Sequence, residues 1–232
     1  MFSRNTMNWL GPLAAVTLGL ALVAPAHATT YTWTPTAAGT YNWDDASSNW
    51  TSGFPNAVDD TATLAIDLAG AQTIDLNQAI SIGTLNIGDT GSDYYATTIQ
   101  NGTAGSLTFD VATGSAVISK ATAGNTATDI ISATITLNDN INITNDATAG
   151  GLTISGNIGE GSAGKALTKL GAGTVSLSVT TPTFGGLTGS ANLASVITSG
   201  YGSVTALTLN PGTATSYTYY LLKPPPLAVR PV

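Results

Sequence analysis

Beyond its first sixty residues this chain is a succession of very short runs in which apolar residues alternate with small polar ones. Examples are Leu64-Ala-Ile66, Ile80-Ser-Ile82, Leu85-Asn-Ile87, Leu107-Thr-Phe-Asp-Val111, Ile135-Thr-Leu137, Ile141-Asn-Ile143, Leu152-Thr-Ile154, Val175-Ser-Leu-Ser-Val179 and Leu207-Thr-Leu209. Successive side chains of a strand point to opposite faces, so each run predicts a strand with one buried face. Gly and Asn punctuate the runs, as at Gly88-Asp89, Asn101-Gly102, Gly150-Gly151, Gly156-Asn157 and Gly185-Gly186. No window beyond the N-terminal segment sustains a helical period, so helix content is expected to be very low.

Short strands fit a sandwich, a barrel or a solenoid. Aromatic residues make up only 7% of the chain, whereas a sandwich core normally leans on them. A Leu-Thr-Leu/Ile/Phe unit recurs at roughly repeat-sized spacing without a strict period. Asn86, Asn138, Asn140 and Asn142 lie in or beside strands, where stacked amides can form ladders. Charged residues are 8% of the chain against 43% hydrophobic, a balance that suits stacked strands, in which buried charge is costly. These features favour a solenoid.

One stretch is more specific. Ala166 to Ser178 reads as a short strand, a Gly-Ala-Gly turn and an alternating strand with Val175 and Leu177 on one face. Leu167, Thr168, Lys169, Gly171, Gly173, Thr174, Leu177 and Ser178 match the pattern Leu-Thr-Lys-x-Gly-x-Gly-Thr-Leu-x-Leu-Ser, with Val175 in place of its Leu. In this the chain resembles the autotransporter-associated β-strand repeat. Ser106-Leu-Thr-Phe, Phe184-Gly-Gly-Leu-Thr-Gly-Ser190 and Leu207-Thr-Leu-Asn-Pro-Gly212 continue in the same idiom. The resemblance implies an all-β, right-handed parallel β-helix in one elongated domain, used as a secreted or cell-surface stalk or scaffold of the passenger type. It also implies a structural role for Lys169.

Four segments are expected. Residues 1–28 resemble a signal peptide, with Arg4, an apolar run from Leu10 to Val23 and an Ala26-His27-Ala28 cleavage site. Residues 29–60 hold Trp33, Trp43 and Trp50 and the acid pairs Asp44-Asp45 and Asp59-Asp60. They resemble the N-terminal module of such repeat proteins and are read as a cap over the open end of the first coil. Residues 61–219 are the repeat region. Residues 220–232, with Pro224 to Pro226 and Pro231, are expected to be a disordered tail or the product of a shifted reading frame.

Cleavage after Ala28 would leave 13 acids against 5 bases, a net of -8, and would remove the only histidine, His27. So few cations argue against nucleic acid as a partner. No membrane span is expected once the leader is removed. The chain has no cysteine, which excludes disulfides and thiolate metal sites. Lys120, Lys165 and Lys169 are the only bases between the leader and the tail, and Glu160 is the only glutamate. Adjacent acids on a strand point to opposite faces, so neither Asp pair makes a two-carboxylate site. The fragments Asn138-Asp-Asn140 and Asn145-Asp146 lack a complete calcium loop and read as turns. Neither catalysis, a cofactor nor a metal is expected.

The functional expectation is therefore an exported, non-catalytic structural or adhesive β-helix, with extracellular glycans or other surface proteins as partners. The alternative is a carbohydrate-binding module in which Trp33, Trp43 and Trp50 stack on sugar rings. A β-helix polysaccharide-degrading enzyme is a third and weaker reading.

Overall fold

The structure is a computed structural model. It describes residues 28–120, 124–162 and 164–177, followed by the backbone of four short strands between 186 and 221. Residues 1–27 of the expected signal peptide, most of the expected tail and Ser178 lie outside the described residues.

The chain is wound as a parallel β-solenoid, with no helix among the described residues. The first coil contributes β1 (Thr30–Thr32) and β2 (Gly39–Asn42). Four complete coils follow: β3 (Thr61–Thr63), β4 (Gln72–Leu76) and β5 (Ala79–Ile82); β6 (Thr84–Asn86), β7 (Thr97–Asn101) and β8 (Ser106–Phe109); β9 (Ala116–Lys120), β10 (Asp129–Ile131) and β11 (Ile135–Leu137); β12 (Ile141–Asn145), β13 (Gly151–Ile154) and β14 (Ile158–Glu160). A further coil carries β15 (Ala166–Leu170) and β16 (Thr174–Leu177). Beyond it come β17 (Gly186–Gly189), β18 (Val196–Ile197), β19 (Ala206–Leu209) and β20 (Tyr220–Leu221).

Each strand pairs in parallel with its counterpart one coil away, which builds three stacked sheets. The first sheet has eight strands, β1-β3-β6-β9-β12-β15-β17-β19. The second has six, β2-β4-β7-β10-β13-β16, and the third has four, β5-β8-β11-β14. β18 pairs with β20, so parallel pairing reaches two residues into the segment expected to be tail.

The period-2 pattern explains the core. In the first sheet Ala62, Leu85, Ile118 and Ile143 stack inward in register. Ile74, Ile99, Ile131, Ile154 and Leu177 do so in the second, and Ile80, Leu107, Ile135 and Ile158 in the third. All are buried and belong to one continuous cluster. Columns of apolar, mostly branched residues let every coil cover the apolar edge of the next. Spacing between equivalent residues ranges from 20 (Thr168 to Thr188) to 33 (Thr84 to Val117), the physical reason no strict period is visible.

Two expectations are corrected. Leu64-Ala-Ile66 is not a strand: β3 ends at Thr63, and Leu64 is a buried residue at the corner that follows. The Asn residues do not form a ladder of like amides. Asn86 lies opposite Thr63 and Ser119, and Asn142 opposite Val117 and Thr168, because the unequal coils bring different residues into register. Their amides bridge coils individually instead. Asn138 Nδ2 donates to Asp110 Oδ2 at 2.7 Å, and Asn140 Oδ1 accepts the Ala166 amide at 2.9 Å.

The Gly171–Gly173 turn links β15 to β16 across two sheets, and Gly171 has φ of 76°. A Cβ at Gly171 would run into the Asn145 carbonyl oxygen, and one at Gly173 into the Ala147 carbonyl oxygen. Replacing both by Val should cost about 1–3 kcal/mol for the forced left-handed backbone alone, with steric exclusion adding to it. A lowered urea midpoint checks this, and an unchanged midpoint would mean that the turn relaxes freely.

Candidate functional site

The three tryptophans of the first coil come together as one packed block. Trp33 continues from β1, Trp43 from β2, and Trp50 forms an isolated antiparallel bridge with Trp33. Trp50 stands edge-on to both others, with ring centroids 4.9 Å away in each case. Every indole N–H is satisfied inside the fold. Trp33 donates to Gln72 Oε1 at 2.8 Å, Trp43 to the Pro55 carbonyl at 3.1 Å and Trp50 to the Trp43 carbonyl at 2.6 Å. The rings are 2%, 0% and 4% exposed. Stacking on a pyranose needs an open ring face, and these rings have none. Glycan contact through Trp33, Trp43 and Trp50 is therefore corrected: the cluster is core, placed where the aliphatic columns end.

The segment that follows is held by its acids. Asp60 accepts the Thr29 amide on Oδ1 and the Asn56 amide on Oδ2, at 3.2 and 3.1 Å. Asp59, at φ 66°, accepts the Ala112 amide at 3.0 Å. The two carboxylates point to different partners, as their adjacency dictates.

A second polar feature lies inside the solenoid, at the corner between the first and second sheets. Asp89 is fully buried and accepts the Leu68, Gly91 and Tyr95 amides at 3.1, 2.7 and 2.7 Å. One coil on, buried Asn125 donates to the Asp89 carbonyl at 2.8 Å and accepts the Ala127 amide at 2.8 Å. Two coils on, buried Asn145 accepts the Ala147 amide at 2.9 Å and donates to the Thr174 carbonyl at 2.7 Å. Beside them lies the ion pair of Lys120 and Asp129. A turn that leaves backbone groups without ladder partners in the interior must satisfy them locally, and short Asx side chains reach those groups.

The signature residues sit at the same corner. Leu167 and Leu177 are buried opposite Ile141 and Ile154. Thr168 and Thr174 face outward and are half-buried. Lys169 is buried, opposite Ile143, and its Nζ donates to the Gly171 carbonyl. The Gly173 amide donates to the Asn145 carbonyl at 2.7 Å. The signature thus builds a corner, not a binding site.

Lys120, Asp129, Asp89 and Asn125 are the chemically distinctive residues that sequence reasoning missed. Gly88-Asp89 reads only as a turn, and nothing in the sequence marks Lys120 or Asp129 as buried. The outer faces are plain by comparison. Thr61, Thr84, Val117, Asn142 and Thr168 form the central outward column of the first sheet. Thr40, Thr73, Thr98, Ile130, Thr153 and Ser176 form that of the second, and Ser81, Thr108 and Thr136 part of that of the third. These columns are uncharged.

Comparison with known proteins returns no match: no family model, no curated protein and no solved structure is similar to this chain. No group of metal-ligating side chains occurs among the described residues, and they form no helix long and apolar enough to cross a membrane.

Trp43→Ala should lower stability by about 3–5 kcal/mol, the range for emptying a buried aromatic site. Thermal unfolding of the variant checks it. A second expectation concerns pH. Burial pushes the Lys169 ammonium down from 10.5 to about 8, with the charge of Asp146 opposing the shift. The unfolded chain then binds more protons than the native one between these values, so stability rises with pH across that window. Melting curves from pH 8 to 10.5 should show this rise in the native chain and not in Lys169→Met.

Proposed function

We propose that this chain is a non-catalytic scaffold of the exported, cell-surface or secreted β-helix kind, similar in role to autotransporter passengers. The observation that carries the reading is how the charged groups are used. Asp59, Asp60, Asp89, Asp129, Asp139 and Glu160 each accept backbone amides of their own or a neighbouring coil. Carboxyl oxygens occupied by backbone amides close turns of the scaffold and are not left open toward a substrate. The outward columns offer hydroxyl and methyl groups at strand spacing, about 4.8 Å apart, a surface for contact and not for turnover. Support for export comes from the leader-like residues 1–28, and support for the passenger-like role from the 166–178 signature.

On this reading the protein adheres to uncharged, hydroxyl-rich surfaces such as glycans through the face of the first sheet. The purified chain, presented on beads, is retained on a glycan array and releases no sugar from a polysaccharide panel. Replacing Thr84 and Thr168 together by Lys should weaken retention about tenfold, or 1.4 kcal/mol, with no change in melting temperature. Turnover of any polysaccharide, or retention indifferent to the substitutions, overturns the proposal.

A further inference from the structure

Lys120 and Asp129 form an ion pair, and both side chains are wholly buried. Lys120 closes β9 in the first sheet and Asp129 opens β10 in the second, so the pair spans the corner between two sheets. Lys120 Nζ contacts Asp129 Oδ2 directly and also donates to the Ala127 carbonyl at 3.1 Å. Asp129 Oδ1 accepts the Thr97 amide at 2.7 Å. Gly88 backs the pair closely: a Cβ there would meet Lys120 Cγ at 3.3 Å and Asp129 Oδ2 at 3.5 Å. The amine and the carboxyl are held together in a dry, tightly packed box, and the two carboxyl oxygens have different partners.

Removing two charges from water costs several kcal/mol per ion, which their mutual attraction only partly returns. Burial raises the Asp129 carboxyl above its ordinary value, with the charge of Lys120 opposing. Moving one proton from Nζ to Oδ2 removes both charges and leaves a neutral amine against a carboxylic acid. That is the reactive form of both groups, since the amine lone pair is free and the acid carries a leaving hydroxyl.

We propose that Lys120 and Asp129 condense spontaneously into an intramolecular isopeptide bond, a covalent brace between the first and second sheets. Nζ adds to Asp129 Cγ, and the negative charge that develops on Oδ1 is met by the Thr97 N–H already aimed at it. A proton then passes from Nζ to the Oδ2 hydroxyl, the Cγ–Oδ2 bond breaks, and one water leaves as the Cγ–Oδ1 carbonyl re-forms. The product is a secondary amide whose remaining N–H donates to the Ala127 carbonyl. No oxidant, metal or second protein is consumed. Fixed contact between the reacting groups supplies the effective concentration that an uncatalysed amidation in water lacks. The brace serves a chain that has no cysteine with which to make a disulfide.

Intact-mass spectrometry of the purified full chain tests this directly. The expected mass is one water below that of the sequence as purified, while Lys120→Arg and Asp129→Ala run at full sequence mass. Trypsin should leave the bond after Lys120 uncut, so that the flanking residues remain in one peptide running to Lys165. A native chain at full mass overturns the proposal. So does a lost water with normal cleavage after Lys120, which places the loss at another residue. If either variant fails to fold, the mass and tryptic map of the native chain alone decide the question.

Discussion

Each coil must return its strands into hydrogen-bonding register with the coil before it, and every corner must be closed without spending the groups that this ladder needs. Parallel pairing aligns like positions, so an apolar residue in one coil faces an apolar residue in the next, and the columns build themselves once the register is set. The corners are harder, because the chain bends there and its amides and carbonyls leave the ladder. At the corner between the first and second sheets three successive coils place Asp89, Asn125 and Asn145 inside, and each binds backbone of its own turn. Asn125 and Asn145 also reach a neighbouring coil, so the same side chains that close the turns tie the coils together.

The first coil meets a different demand. It has no strand in the third sheet, and the aliphatic columns need cover where they end. Trp33, Trp43 and Trp50 fill that volume, and Gln72 of the second coil binds both the Trp33 indole and the Pro35 and Ala37 carbonyls. An aromatic block held from two coils is a rigid terminus. The residues that resemble a sugar platform in sequence are spent on covering the core.

These two arrangements account for the scarcity of charge. A solenoid this thin has little interior that is far from a corner, so ionisable groups are retained where they satisfy backbone or one another. Thr, Ser and Asn hold most of the outward strand positions, where Asp75 of β4 is bound by the Gln100 amide of the next coil. The scaffold proposal rests on that division of labour, whereas the isopeptide proposal rests on one corner and stands independently of it.

Alternation of apolar and small polar residues determined much from sequence alone: the lack of helix among the described residues, the shortness of the strands and the inward columns at Ile135-Thr-Leu137 and Ile141-Asn-Ile143, whose sides the period fixes. The Gly-Ala-Gly turn was legible too, because only glycine passes so close to a neighbouring carbonyl. Sequence did not reveal β4, β7, β9 and β10, because Gln72, Thr97, Lys120 and Asp129 stand at inward positions and break the apolar pattern. A polar residue reads as outward until a partner is known, and those partners lie from 7 to 39 residues away. The burial of the tryptophans had the same cause. Local sequence shows a ring and an acid side by side, but only the return of a later coil decides whether the ring meets water or the core.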